Sequence, residues 1–172
     1  MAPAPAQTNK PSAKLGSTKK LTRVLGGVFA RFDYNDLVAL VIEPDEESRD
    51  ELVGALVDLG FPRPKDAHNA ATALYAAEEI SPSFIILDSR LDGPDGGTDG
   101  FELLQRIRED ETTIAQDVPV ILLAGSVSEF TIAETKRLGV DMLLTKPVPM
   151  KRFQMRVNGL MMKRFPDHVS WG

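Results

Sequence analysis

From Leu37 onward, short apolar runs alternate with amphipathic segments, and that alternation leaves the chain very few folds. "LVALVI" (37–42), "SFIILD" (83–88), "VPVILLA" (118–124) and "DMLLT" (141–145) read as strands, with a weaker strand near 63–67. Between them lie helical patterns over 45–61, 69–80, 100–109 and 129–139, and a last one from about Pro149. In the first of these, Leu52, Leu56 and Leu59 are spaced for one helical face, and Gly60 suits the C-terminal cap. Five strands alternating with five helices predict an α/β fold, a doubly wound parallel sheet covered on both faces. Uninterrupted apolar strands such as "SFIIL" are what burial on both faces requires. Right-handed crossovers restrict the topology further.

The segment before this pattern is different in kind. Residues 1–20 are rich in Ala, Pro, Ser and Lys with Leu15 as their one large apolar residue, so disorder is expected there. Over 21–36, Leu21, Val24, Leu25, Val28, Phe29 and Phe32 recur at steps of three and four. They predict an amphipathic helix that docks on its own domain, although Gly26-Gly27 weakens it by roughly 1 kcal/mol per glycine. The predicted domain occupies 37–164, followed by a short tail over 165–172. Residues 1–31 carry six basic side chains and no acidic one, whereas the remainder has a net charge of −11. An acidic body disfavours nonspecific nucleic-acid binding, and the basic arm suits either an anionic partner or simple solubility.

Composition excludes several chemistries. Without cysteine there are no disulfides, thiolate metal sites or thiol nucleophiles, and with only His68 and His168 a histidine-rich metal centre is ruled out. No apolar run approaches a membrane span and no secretory signal opens the chain, so a cytoplasmic protein is expected.

In open parallel sheets, sites form beyond the carboxyl ends of the strands. The residues there are Glu43-Pro44-Asp45, Asp88, Ala124-Gly125-Ser126 and Lys146-Pro147. Acidic groups gathered with one lysine suit a divalent cation and a phosphoryl group. Crowded carboxylates repel unless a cation offsets them, and Mg²⁺ takes one or two carboxylates together with waters and phosphate oxygens. The lysine ammonium pairs with a phosphoryl oxygen as a point charge, and an aspartate oxygen can attack phosphorus to form an aspartyl phosphate.

With these residues in view, the chain resembles the receiver domains of bacterial two-component response regulators over about 37–164. The resemblance rests on "IEPDEESR", "FIILD", "PVILLAG" and "LLTKP", in that order and at domain-wide spacing. The last helix and tail are also similar to stand-alone receivers of α-proteobacteria. The resemblance implies a flavodoxin-like sheet with strand order 2-1-3-4-5, Asp88 as phosphoacceptor and Lys146 as the phosphoryl contact. It further implies Mg²⁺, weakly held by Glu43, Asp45, Asp88 and the backbone carbonyl of Arg90. Against the family pattern, Pro44 takes the place of the second acidic residue, counted back from Arg49. Asp45 lies one residue late, so it is either a metal ligand or a helix N-cap. Ala124 replaces the hydroxyl residue after the fourth strand, leaving Gly125, Ser126 or neither to serve, and Leu143 replaces the aromatic switch residue.

The aspartate-rich loop "DSRLDGPDGGTDG" (88–100) is about four residues longer than the family spacing, as if an Asp-Gly turn had been repeated. Asp92 and Asp95 read as turn formers and Asp99 as the N-cap of the following helix. The order of oxygen ligands needed for a calcium loop is missing.

Two functions compete. One is a single-domain response regulator, not an enzyme, which takes a phosphoryl group from a histidine kinase or phosphotransfer protein. It would then signal to an unknown downstream protein, with homodimerisation open to it and no nucleic acid as target. The other is a degenerate receiver that binds proteins independently of phosphorylation. An aspartate-nucleophile phosphatase is disfavoured because Asp88-Ser89-Arg90 lacks a second carboxylate.

Overall fold

The computed structural model describes residues 21–23, 29–91 and 99–171. In chain order its first elements are β1 (Leu21–Arg23), β2 (Phe29–Phe32), β3 (Ala39–Ile42), α1 (Glu46–Leu59), β4 (Lys65–Ala67) and α2 (Ala70–Glu79). There follow β5 (Phe84–Asp88), α3 (Gly100–Arg108), β6 (Val120–Ala124), α4 (Glu129–Arg137) and β7 (Met142–Thr145). The chain closes with α5 (Met150–Arg164), a 3₁₀ turn (Pro166–His168) and β8 (Val169–Trp171).

Five strands form the expected parallel sheet in the order β4-β3-β5-β6-β7. Alternate side chains of these strands enter two separate cores. Val41, Ile86, Ile121 and Leu123 pack with Leu56, Phe153, Val157 and Met161 of α1 and α5. Leu40, Ile42, Ile85, Leu87 and Leu122 pack with Ala73 of α2 and Leu103, Leu104 and Ile107 of α3. Each such aliphatic side chain contributes about 1.5–3 kcal/mol when fully buried, which explains why the central strands are apolar without interruption. The register pairs Ile42 with Leu87, Asp88 with Leu123 and Ala124 with Thr145, so the carboxyl ends of four strands share one edge.

The helix starts follow their capping residues. Asp45, Asn69, Asp99 and Ser128 each accept a backbone N–H of the first turn, and Asn69–Thr72 and Ser128–Thr131 are reciprocal capping boxes. Gly60 ends α1 at φ 127°, a left-handed conformation that glycine adopts without strain.

Two expectations for the flanks are corrected. The amphipathic helix expected over 21–36 is not formed at the described residues 21–23 and 29–36. Instead β1 and β2 pair antiparallel, and β2 pairs on its other side with β8, Ala30 against Trp171 and Phe32 against Val169. Burial over 30–32 alternates, with Ala30 and Phe32 inside and Arg31 outside, the period of a strand. The segment expected to be a tail over 165–172 therefore supplies the backbone partner that β2 requires. A partner more than a hundred residues away leaves no mark on local periodicity, whereas the Gly26-Gly27 pair already disfavours a helix.

Phe32 and Tyr34 of these flanks belong to the core, with Phe165 and Val169 packed against it. The rings of Phe32 and Tyr34, of Tyr34 and Phe61, and of Phe61 and Phe84 lie 4.6, 4.6 and 5.2 Å apart. Phe84 opens β5, so the small sheet seals the end opposite Asp88. The Tyr34 hydroxyl donates to Asn158 of α5, and burial raises its pKa. Among the described residues, no helix is long and apolar enough to cross a membrane. The expected disordered segment 1–20 and the turn formers Asp92 and Asp95 lie outside the described residues.

Candidate functional site

Three charged side chains meet where the parallel strands end. Glu43 follows β3 and is held there by its N–H, which donates to Ala67 O at 3.0 Å. Asp88 is the last residue of β5. Lys146 follows β7, its N–H donating to Ala124 O at 2.8 Å, and the next peptide bond, to Pro147, is cis. Glu43 and Asp88 are buried, 1% and 5% exposed, although they are charged residue types that need a partner there. The partner is Lys146, which bridges both. Its ammonium lies 2.8 Å from Glu43 Oε2 and donates to Asp88 Oδ2. The remaining oxygens take backbone donors, with Arg90 N–H on Asp88 Oδ1 at 2.8 Å and Asp45 N–H on Glu43 Oε1 at 3.1 Å.

Burial raises the Glu43 pKa, and the neighbouring Asp88 raises it further, against the lowering effect of Lys146 and of the Asp45 N–H. For Lys146, burial works against the charged form, but its bonds to Asp88 and Glu43 outweigh that and hold its pKa above the ordinary lysine value.

The other predicted residues separate. The Asp45 carboxylate accepts the Ser48 N–H at 2.8 Å, which lowers its pKa, and it stands at the N-cap of α1, in exposed surroundings. Ala124 is buried at the end of β6, while Gly125 and Ser126 are exposed. Ser126 lines a hollow of about 450 Å³ with Ser89, Arg90, Asp99, Phe101 and Phe130. Leu143 packs half-buried against the α2/α3 core. Asp99 caps α3, accepting from Phe101 N–H at 3.3 Å.

One site feature is absent from the sequence reading. Gly100 N–H donates to Ser89 O at 3.2 Å, and a Cβ at Gly100 would meet Asp88 O at 2.2 Å. Helix α3 thus begins in direct contact with the peptide that carries Asp88. The Asp99-Gly100 step into a helix was the available signal, but it marks a helix start equally well.

The donor set suits a hard cation. Glu43 and Asp88 offer carboxylate oxygens at this edge, and one ammonium between two carboxylates leaves negative charge to offset when both are ionised. Among the described residues there is no cluster of three or more acidic or histidine side chains able to hold a metal.

Comparison with known proteins bears on the fold that carries this edge. The sequence profile described as "Response regulator receiver domain" matches residues 39–158. The phosphate regulon transcriptional regulatory protein PhoB of Pseudomonas aeruginosa is 26% identical over 127 residues, 74% of this chain and 53% of PhoB. The chain thus matches about half the length of that relative. Chemotaxis protein CheY-3 of Vibrio cholerae is 27% identical over 108 residues, 63% of this chain and 78% of CheY-3. Among solved structures, NtrX from Brucella abortus superposes with a TM-score of 0.65 at 25% identity, over 74% of this chain and 28% of that one.

Proposed function

The chain belongs to the response regulator receiver domain family, and from that membership we propose that Asp88 accepts a phosphoryl group from a histidine kinase or phosphotransfer protein. Receiver domains are signalling modules of two-component systems, and phosphorylation and Mg²⁺ binding are typical of the family. The observation that carries the proposal for this chain is the Glu43–Lys146–Asp88 contact at the sheet edge.

In the proposed transfer an Asp88 oxygen forms a bond to phosphorus as the P–N bond of the donor's phosphohistidine breaks, and that electron pair leaves with the imidazole. The Arg90 N–H fixes the carboxylate during the attack. Lys146 moves from the two carboxylates to a phosphoryl oxygen, where its charge opposes the charge on the transferred group. Glu43, Asp88 and the Arg90 carbonyl would hold Mg²⁺, which supplies further positive charge there when bound. Because Pro44 stands where a second acidic residue would be, binding weaker than in receivers with two adjacent acidic residues is expected.

Incubation with Mg²⁺ and acetyl phosphate, followed by intact mass, tests the proposal. The parent chain is expected to gain one phosphoryl group and Asp88→Asn none. A folded parent that gains nothing would favour the second reading, a protein-binding module that does not depend on phosphorylation, to which Pro44, Ala124 and Leu143 lend support.

Any phosphorylation is expected to produce a small conformational response. A ligand shifts an equilibrium only by its differential interaction with the two states. Ala124 offers no hydroxyl to follow the phosphoryl group, which removes a charge-assisted hydrogen bond of about 1.5–3 kcal/mol. Leu143 has no polar tip to reorient. Backbone amide shifts with and without a phosphoryl mimic should therefore change little over 125–148. Large changes there would mean that another group, Ser126 foremost, drives a switch.

A further inference from the structure

We infer that Arg49, anchored by Asp66, is a positioning residue for the Glu43 carboxylate. The inference rests on the phosphoryl-acceptor reading of the site. Arg49 lies on the first turn and a half of α1, and its side chain is 17% exposed. One nitrogen, Nη1, donates to Glu43 O at 3.0 Å and to Pro44 O at 3.4 Å. Its Nε donates to Asp66 Oδ2 at 3.2 Å, on the neighbouring strand β4. The guanidinium therefore ties the turn after β3 to the strand beside it, and it does so through the carbonyls of the residue that supplies the carboxylate and the residue after it.

The need for such a clamp follows from Pro44. Proline has no N–H and no acidic side chain, so the turn loses both a backbone donor and a second carboxylate. Among the described residues, Glu43 is then the acidic side chain of this turn that forms an ion pair with Lys146. Its carboxylate must reach 2.8 Å from the ammonium while accepting the Asp45 N–H, a geometry that tolerates little movement of the turn. A rigid planar fork fixes two carbonyls and one carboxylate together, which a lysine at the same place cannot reproduce. Groups that orient a ligand in this way typically change metal affinity ten- to a hundredfold, roughly, when removed.

The test uses the full chain and three variants, Arg49→Ala, Arg49→Lys and Asp66→Asn. In metal-free protein the Glu43 side-chain carboxyl carbon shift reports that carboxylate directly, and it is the readout used because the Asp45 N–H shares a peptide group with Pro44 O, which itself accepts from Arg49. Arg49→Ala is expected to move this shift and to raise the Mg²⁺ concentration for half-saturation, measured by amide-shift titration, about tenfold. Arg49→Lys should recover part of both, and Asp66→Asn should move both in the same direction by less. A lower melting temperature with the Glu43 carboxyl shift and the Mg²⁺ midpoint unchanged would leave Arg49 a merely structural residue and overturn the inference. Should Arg49→Ala not fold, Asp66→Asn decides by the same two readouts. A parent chain that neither binds Mg²⁺ nor gains a phosphoryl group defeats the function proposed above. The metal-free Glu43 carboxyl shift still judges Arg49 in that case.

Discussion

Replacing Lys146 with methionine is expected to destabilise the metal-free protein by about 2–3 kcal/mol near neutral pH, and by clearly less in mild acid. The substitution leaves Glu43 and Asp88 buried side by side without the ammonium that bridges them. Breaking a buried pair by removing one partner usually costs about 3–5 kcal/mol, and the part of Lys146 that reaches solvent places this case at or below the low end. The pH dependence follows from Glu43. Its pKa in the folded parent is already raised by burial, so the folded state holds a proton that the unfolded state releases first. A carboxyl group shifted in that direction adds stability that is fully present below its unfolded pKa of 4.5 and is lost as pH rises through the folded value. Without Lys146 the strongest influence lowering that pKa is gone, and the window widens upward.

The parent has a second window at the alkaline end. Lys146 is raised above 10.5, so its contribution is present below that value and is lost as pH rises through its folded pKa. The variant should lack this alkaline loss. Urea denaturation in EDTA, at about pH 5 and about pH 7.5, measures the first difference. Equal destabilisation at both values would show that Glu43 does not take up the proton.

Alanine at Gly100 is expected to cost about 1–3 kcal/mol of stability and to slow phosphorylation of Asp88 by about tenfold or more. The added Cβ would lie 2.2 Å from Asp88 O and 3.0 Å from Ser89 C, both backbone atoms, so no side-chain rotation relieves the clash. Either the start of α3 or the Asp88–Ser89 peptide has to move. Movement of that peptide displaces the carboxylate from the Arg90 N–H and from Lys146, and an error approaching 1 Å in a reacting group can cost about a hundredfold in rate. Gly159→Ala is the control, since α5 leaves open space there and alanine favours a helix by about 1 kcal/mol. A Gly100→Ala protein as stable and as readily phosphorylated as its parent would show that the helix start yields without disturbing the site.

What the sequence determined by itself was the parallel sheet, its helices and the residues at its edge. Continuous apolar strands separated by helices admit essentially one class of fold, and that fold brings residues after each strand to one end. Asp88 and Lys146, 58 positions apart, could therefore be placed together before any distance was known. Asp99 and Gly60 were legible because caps are local chemistry.

What only the tertiary structure decided depends on partners distant in sequence. Periodicity predicts a helix over 21–36, whereas the described residues 21–23 and 29–32 are strands, β2 pairing with the distant β8 while Phe32 and Tyr34 enter the core. Asp45 had two roles open by spacing, and its carboxylate lies on the Ser48 N–H. Arg108 carried no sequence signal, yet its guanidinium donates to the carbonyls of Gln116, Val118, Leu138 and Gly139. Periodicity reports which face of an element is apolar. It is silent on which distant polar atom a side chain will find, because only the folded chain brings that atom within hydrogen-bonding distance.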